Sequence, residues 1–188
     1  MNPLRYISNQ LGAAVGYDSV SKSVYIDNNA LTTFKSENVS IAEDATFQLK
    51  MLANKTAFKY GEPITVWTEM NYLGKESSDI YYGGSMVTYS LTDADGFSDS
   101  ELGSLVLQKS KFNVNDAYMR ILPQSLIGSY LMHKNNVEDP EKYLNEAVRP
   151  AALPIGTYTL KVSAEYGLEE YSSASKQTLS ASMTIVIE

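Results

Sequence analysis

The chain has 188 residues, 44% hydrophobic and 20% charged, which suits one good soluble domain plus a small extra piece and excludes a disordered chain. A net charge of −7, with fifteen Lys and Arg spread along the sequence, excludes the basic surface that nucleic acid or an anionic membrane requires. No apolar run approaches the ~20 residues of a membrane span, Met1-Asn2-Pro3 does not open a signal peptide, and zero cysteines rule out disulfides, thiolate metal sites and a cysteine nucleophile without assigning a compartment.

Taken in order, the first 27 residues read as a unit. Asn2 is a helix cap with Pro3 at the first helical position, and Leu4, Ile7 and Leu11 then share one face until Gly12 stops the helix. Val15 and Tyr17 alternate as a short strand, residues 18–22 form a polar turn, and Val24 and Ile26 alternate as a second strand. Residues 28–45 are polar, weakly periodic and read as a linker.

Strand signals begin at Thr46. Phe47, Leu49 and Met51 alternate, Gly61-Glu62-Pro63 is a turn, and Ile64, Val66, Thr68 and Met70 alternate against Thr65, Trp67, Glu69 and Asn71. Tyr81-Tyr82-Gly83-Gly84 reads as a Gly-rich loop. Val87, Tyr89 and Leu91 alternate before the turn Asp93-Ala94-Asp95-Gly96, and Leu105 and Leu107 continue the pattern. Residues 119–132 are expected to hold one or two weaker strands. Asp139 followed by Pro140 and Glu141 predicts a helix over 140–148.

The clearest strand follows the Pro154–Gly156 turn. Tyr158, Leu160, Val162, Ala164 and Tyr166 fall on one parity and Thr157, Thr159, Lys161, Ser163 and Glu165 on the other, the period of an antiparallel strand with one buried face. Met183, Ile185 and Ile187 make a final strand. Six to eight strands with one inserted short helix predict a mainly β, antiparallel, immunoglobulin-like β-sandwich over 46–188, preceded by a small helix-plus-hairpin fragment over 1–27.

Two resemblances attach to these residues. Pro3-Leu4-Arg5, Leu11-Gly12-Ala13, Val15, Tyr17-Asp18, Lys22 and Val24-Tyr25-Ile26 resemble the closing segment of the copper amine oxidase N-terminal-like domain, a module of exported Gram-positive bacterial proteins. The match covers about residues 3–27, has Asn rather than an aliphatic before Pro3, and lacks the strands that precede Pro-Leu-Arg in that family. It implies an extracellular or cell-envelope location. It also implies that the chain is the carboxy-terminal part of a longer exported protein. No copper follows from the name, since such a site needs several imidazoles and the sequence has only His133. Residues 1–27 lack the size to bury their own apolar faces, so they are expected to exchange amide hydrogens freely unless they dock on the sandwich or dimerise. Arg5 is expected to make a structural ion pair or to snorkel. Tyr60-Gly61-Glu62-Pro63-Ile64-Thr65-Val66, Asn71, Leu91-Thr92-Asp93-Ala94-Asp95-Gly96 and Pro154-Ile155-Gly156-Thr157-Tyr158 are similar, less specifically, to bacterial immunoglobulin-like modules, including the intracellular proteinase inhibitor group.

The sequence contains no Gly-x-Ser-x-Gly elbow, phosphate loop or His-Glu-x-x-His, and the solitary His133 has no nucleophile frame around it, so the expectation is a non-enzyme without cofactor. Asp93, Asp95, Asp99 and Glu101 are the metal candidate, an oxygen-rich run that could hold Ca²⁺ but lacks the spacing of a Ca²⁺ loop; the alternative is a solvated turn capped by its Asp side chains. Trp67, Tyr72, Tyr81 and Tyr82 are the ligand-binding candidates, either an aromatic platform for sugars or a protein partner, or core packing of ordinary strands. The functional expectation is a binding or adhesion module for a cell-wall polymer, glycan or protein; the alternative is a proteinase-inhibitor-like sandwich acting through an exposed loop.

Overall fold

The computed structural model of the protein describes residues 14–18, 23–27, 36–102, 106–147, 152–170 and 175–188. The first two strands, β1 (Ala14–Asp18) and β2 (Ser23–Asp27), pair antiparallel, with Val15 opposite Ile26 and Tyr17 opposite Val24, as their alternation predicts. The expected helix carrying Leu4, Ile7 and Leu11, the turn at 19–22 and residues 28–35 of the expected linker lie outside the described residues.

The next strands are β3 (Asn38–Glu43), β4 (Phe47–Ala53), the short β5 (Ala57–Phe58), β6 (Val66–Tyr72), β7 (Ser78–Gly83), β8 (Val87–Asp93) and β9 (Ser98–Ser100). Then come β10 (Leu107–Phe112), β11 (Ala117–Ile121), the helices α1 (Gln124–Lys134) and α2 (Pro140–Glu146), and the long strands β12 (Gly156–Tyr166) and β13 (Gln177–Ile187). One sheet has the order β11-β6-β4-β3, the other β5-β13-β12-β8-β9, and β10-β7 forms a separate ribbon.

Relabelling β4, β6 and β11 as A, B and E, and β8, β12 and β13 as C, F and G, gives the A-B-E and C-F-G neighbours of an immunoglobulin-like sandwich. A second mark of that fold is the corner before β12. The Tyr158 hydroxyl donates to the Pro154 carbonyl at 2.9 Å, the tyrosine-corner contact that pins the entry of strand F to the residues just upstream.

Parity decides the core. The five inward residues of β12 are buried with Leu179, Ala181, Met183, Ile185 and Ile187 of β13, and they meet Phe47, Leu49 and Met51 of β4 and Val66 and Met70 of β6. Each large aliphatic side chain so buried contributes roughly 1.5–3 kcal/mol. Leu160→Asp would put an unpaired charge among them and is the single change best suited to undo the sandwich.

Four expectations need correction. Residues 119–132 are not all strand: after β11, Leu122-Pro123 opens α1, whose Leu126, Ile127, Tyr130 and Leu131 are buried at helical spacing. That i, i+1, i+4, i+5 pattern is a helix stripe which two β-like apolar pairs imitate. The sandwich therefore carries two helices among the described residues, the second starting at Pro140 with the Asp139 carboxylate accepting from the Lys142 amide at 2.9 Å. Residues 38–43 of the expected linker are β3, paired with β4 from Asn38↔Ala53 to Glu43↔Gln48. Its weak periodicity reflects an edge strand with no fully buried side chain. The Tyr81–Gly84 loop is in fact largely the end of β7, in register with β10 from Ser78↔Phe112 to Gly83↔Leu107. Only Gly84, at φ 58°, leaves it.

β4 and β6 are buried on both faces. Away from the core, one row runs Val39, Leu52, Trp67, Ile121 and the next Ile41, Lys50, Glu69, Met119.

Candidate functional site

Trp67 and Tyr72 do not reach a common surface. Trp67 is buried on the outer face of β6, whereas Tyr72 faces the core, its ring 5.5 Å from that of Phe47 and its hydroxyl donating to the Glu76 carbonyl at 2.9 Å. Phe47, Phe112 and Tyr166 complete this aromatic group, with edge contacts at 5.2 and 4.8 Å from Phe47.

Tyr81 and Tyr82 behave differently, because neighbours on a strand point to opposite sides. Tyr82 packs against the core and shares a hydrogen bond of 2.7 Å with Ser110 across the ribbon. Tyr81 faces the other way beneath Lys109, whose ammonium lies 5.4 Å from the ring centroid and 2.7 Å from Asp79. Asp79 first, and then Tyr81, raise the Lys109 ammonium above its ordinary pKa. β7 is held on both sides, by β10 and by a Tyr81–Gly167 bridge with backbone bonds of 3.0 and 2.8 Å.

The segment leading into β10 adds apolar surface beside this strand. The Gly84 amide donates to the Val106 carbonyl at 2.9 Å and Leu107 stands opposite Gly83. Val106 is 63% exposed and Leu107 48%, while Leu102, which lines the recess beside His133 on α1, is 97% exposed. Leu105 lies outside the described residues. Sequence reasoning passed over Leu102 and Val106. The available signal was the run Leu102-Gly103-Ser104-Leu105-Val106-Leu107, whose lack of alternation fits no half-buried strand.

The acidic run is dispersed among cations and amides rather than gathered round a metal. Asp93 accepts from the amides of Asp95 and Phe97, from Tyr130 at 2.6 Å and from Lys134, which also lies 3.3 Å from Asp95. Lys134, then Tyr130, hold the Asp93 carboxyl well below the usual carboxylate range. Burial first, and the Asp93 hydrogen bond second, push Tyr130 up to about 12. Asp99 accepts from the Ser100 amide and meets His133 Nδ1 at 2.9 Å. Glu101 grips Arg120 through two bonds of 2.6 and 2.7 Å and takes the Tyr89 amide at 2.8 Å. Among the described residues no three His, Cys, Asp or Glu side chains converge in a metal-holding group. Asp93 and Gly96, at φ 85°, build the capped turn that the sequence offers as the alternative.

His133 shares a recess of about 290 Å³ with Ser125 and Ser129, one helical turn apart on α1, but its hydrogen bond is to Asp99. A larger recess of about 620 Å³ lies at the other end of α1, between Gln124, Ile127, Leu153 and the Lys59–Ile64 turn. Its carboxylate, Glu62, is engaged by Lys55 and the Lys59 amide. No known protein-family model matches the chain, and no curated protein matches it.

Proposed function

We propose that the protein is a non-catalytic recognition module of the bacterial cell envelope or exterior, binding its partner through the β7–β10 ribbon and the loop entering it. One observation carries the reading: Val106 and Leu107 stand exposed where β10 begins, Leu107 opposite Gly83 and so next along the same face to Tyr81, on a strand held along both edges. Apolar and aromatic groups presented on a rigid support are what a recognition surface needs, because little ordering entropy is then lost on binding. The envelope location rests on the resemblance of residues 3–27 to the copper amine oxidase N-terminal-like module. Cell-wall polymer, glycan and protein are the partner classes that fit.

A second reading, a proteinase-inhibitor-like sandwich, is favoured by Leu102, since a side chain that enters a protease cleft must stand exposed and Leu102 is 97% exposed. The two are separated by one set of assays on the intact chain: sedimentation with purified peptidoglycan and teichoic acid, and inhibition of a panel of serine and cysteine proteases. Tyr81→Ala combined with Val106→Ser should keep the far-ultraviolet spectrum and weaken binding or inhibition by about tenfold or more, the scale of a lost hot spot. Undiminished binding by the folded variant would reject the ribbon as the site. A purified hydrolytic or transfer activity abolished by His133→Ala would reject the non-catalytic reading.

A further inference from the structure

The outer edge of β13 is open for pairing. Backbone groups alternate sides along a strand, and two bonds settle which way they point. The Glu165 amide on β12 donates to the Met86 carbonyl on the β8 side, and the Val186 amide on β13 donates to the Thr56 carbonyl on the β5 side. Odd-numbered residues of β13 therefore bond to β12, and even-numbered residues turn their N–H and C=O the other way. Among the described residues only β5 meets that side, at Val186 and Ile187, so the groups of Thr178, Ser180, Ser182 and Thr184 face outward unpaired. β3 of the other sheet comes close to β13 but pairs with β4. Leu179 and Met183 keep 8% exposure where their β12 partners Ala164 and Leu160 keep none, so the core is left open along this edge.

Exposed edges are ordinarily blunted by charge, proline, a bulge or shortness. β9 is three residues long and contains Asp99, β3 ends on Glu43 and β11 carries Arg120. β13 runs eleven residues, Gln177–Ile187, without a charge, a proline or a glycine. Its open portion also reads nearly the same in both directions: Thr178-Leu179-Ser180-Ala181-Ser182-Met183-Thr184 is symmetric about Ala181 except for the exchange of Leu and Met. We propose that this edge pairs with the same edge of a second copy of the chain, antiparallel about a two-fold axis through Ala181. Thr178 then lies opposite Thr184 of the second copy and Ser180 opposite Ser182. These are hydrogen-bonded positions, so all four open residues of each strand find both partners. On the inner face Leu179 meets Met183, and the two copies of Ala181, the smallest buried side chain of the strand, meet on the axis where backbones approach to about 4.5 Å. On the outer face hydroxyls meet hydroxyls, a favourable cross-strand pairing. The register ends at Thr184 because the Val186 amide is already taken by Thr56. An outside strand would gain nothing from this symmetry. The contact is isologous and closes as a dimer, joining two five-stranded sheets into one. Each dimer presents two β7–β10 ribbons, and the dimer stands whether or not they are the recognition surface.

Sedimentation equilibrium of the full chain should show a monomer–dimer equilibrium. Amide exchange should then slow with protein concentration at Thr178, Ser180, Ser182 and Thr184, and not at Leu179, Ala181 or Met183, whose amides bond to β12 in either state. Ser180→Lys with Ser182→Lys, both on the exposed face, sets like charges opposite one another twice and should weaken dimerisation by about tenfold or more. Ser180→Glu with Ser182→Glu should do the same, and an equimolar mixture of the two variants should recover a heterodimer. Should the lysine variant fold poorly because Ser182 stands opposite Lys161, Ser182→Pro, which removes an edge N–H and no bond to β12, takes its place. A chain that stays monomeric up to roughly 1 mM overturns the inference. So does a dimer whose even-numbered β13 amides exchange as fast as in the monomer, or one that these substitutions leave intact, because the contact then lies on another face.

Discussion

Arg120→Ala tests how the two sheets are clamped. Arg120 lies on β11 of one sheet, and its guanidinium forks onto Glu101 while also donating to the Val87 carbonyl of β8 in the other sheet at 2.6 Å. Its own backbone carbonyl accepts from the Tyr89 hydroxyl, which shares a second bond with Thr68. The pair is neither surface nor core: the side chains are 25% and 14% exposed. An exposed ion pair is worth ~0–1 kcal/mol, and removing one partner of a buried pair costs ~3–5 kcal/mol, so the intermediate burial places the loss at ~2–3 kcal/mol. For a chain of this size that is about 5–10 °C in Tm. Denaturant unfolding should give a lower midpoint with unchanged slope. Arg120→Lys should recover less than half, since an ammonium lacks the two-pronged fork. A loss below about 0.5 kcal/mol for Arg120→Ala would refute the clamp.

Four further outcomes follow from the same structure. Tyr158→Phe removes the corner bond to Pro154 and should cost ~1 kcal/mol by urea unfolding, with binding unaffected. Gly96→Ala meets no atom within 4 Å, so its cost, ~1 kcal/mol, is that of the φ 85° backbone alone; a loss above about 3 kcal/mol would mean an unrecognised clash. Asp93, depressed in the folded state, contributes stability that is present above its unfolded pKa of ~3.9 and fades as pH falls below it, so Asp93→Asn should flatten the acid limb of Tm against pH. Tyr130, raised to about 12 by burial, contributes stability present below ~10 and lost as pH rises toward 12, and a tyrosinate absorbance titration should show it ionising late.

How far the sequence carries the fold depends on the residue. Tyr158 to Tyr166 announce both strand and buried face because the second face is polar throughout, and Asp139-Pro140 announce a helix start through local chemistry. Residues 124–134 were not legible as a helix: Pro123 offers no side-chain cap, and Leu126-Ile127 and Tyr130-Leu131 pairs fit either period. Trp67 reads like a surface aromatic only if its strand has one covered face, and nothing local reveals that β6 is covered on both. The cations that claim Asp93 and Glu101 come from Lys134 and Arg120, 41 and 19 residues away, so the fate of the acidic run is set by tertiary pairing that spacing along the chain does not encode.

Recognition is proposed to run through the β7–β10 ribbon. Hydrogen exchange of the full chain, with and without whichever wall polymer or protease it captures, tests this most directly. Added protection is expected over residues 78–84 and 106–112 with the remaining strands unchanged. Protection that instead falls on the α1 recesses around His133 or Gln124, with the ribbon unaltered, would contradict it.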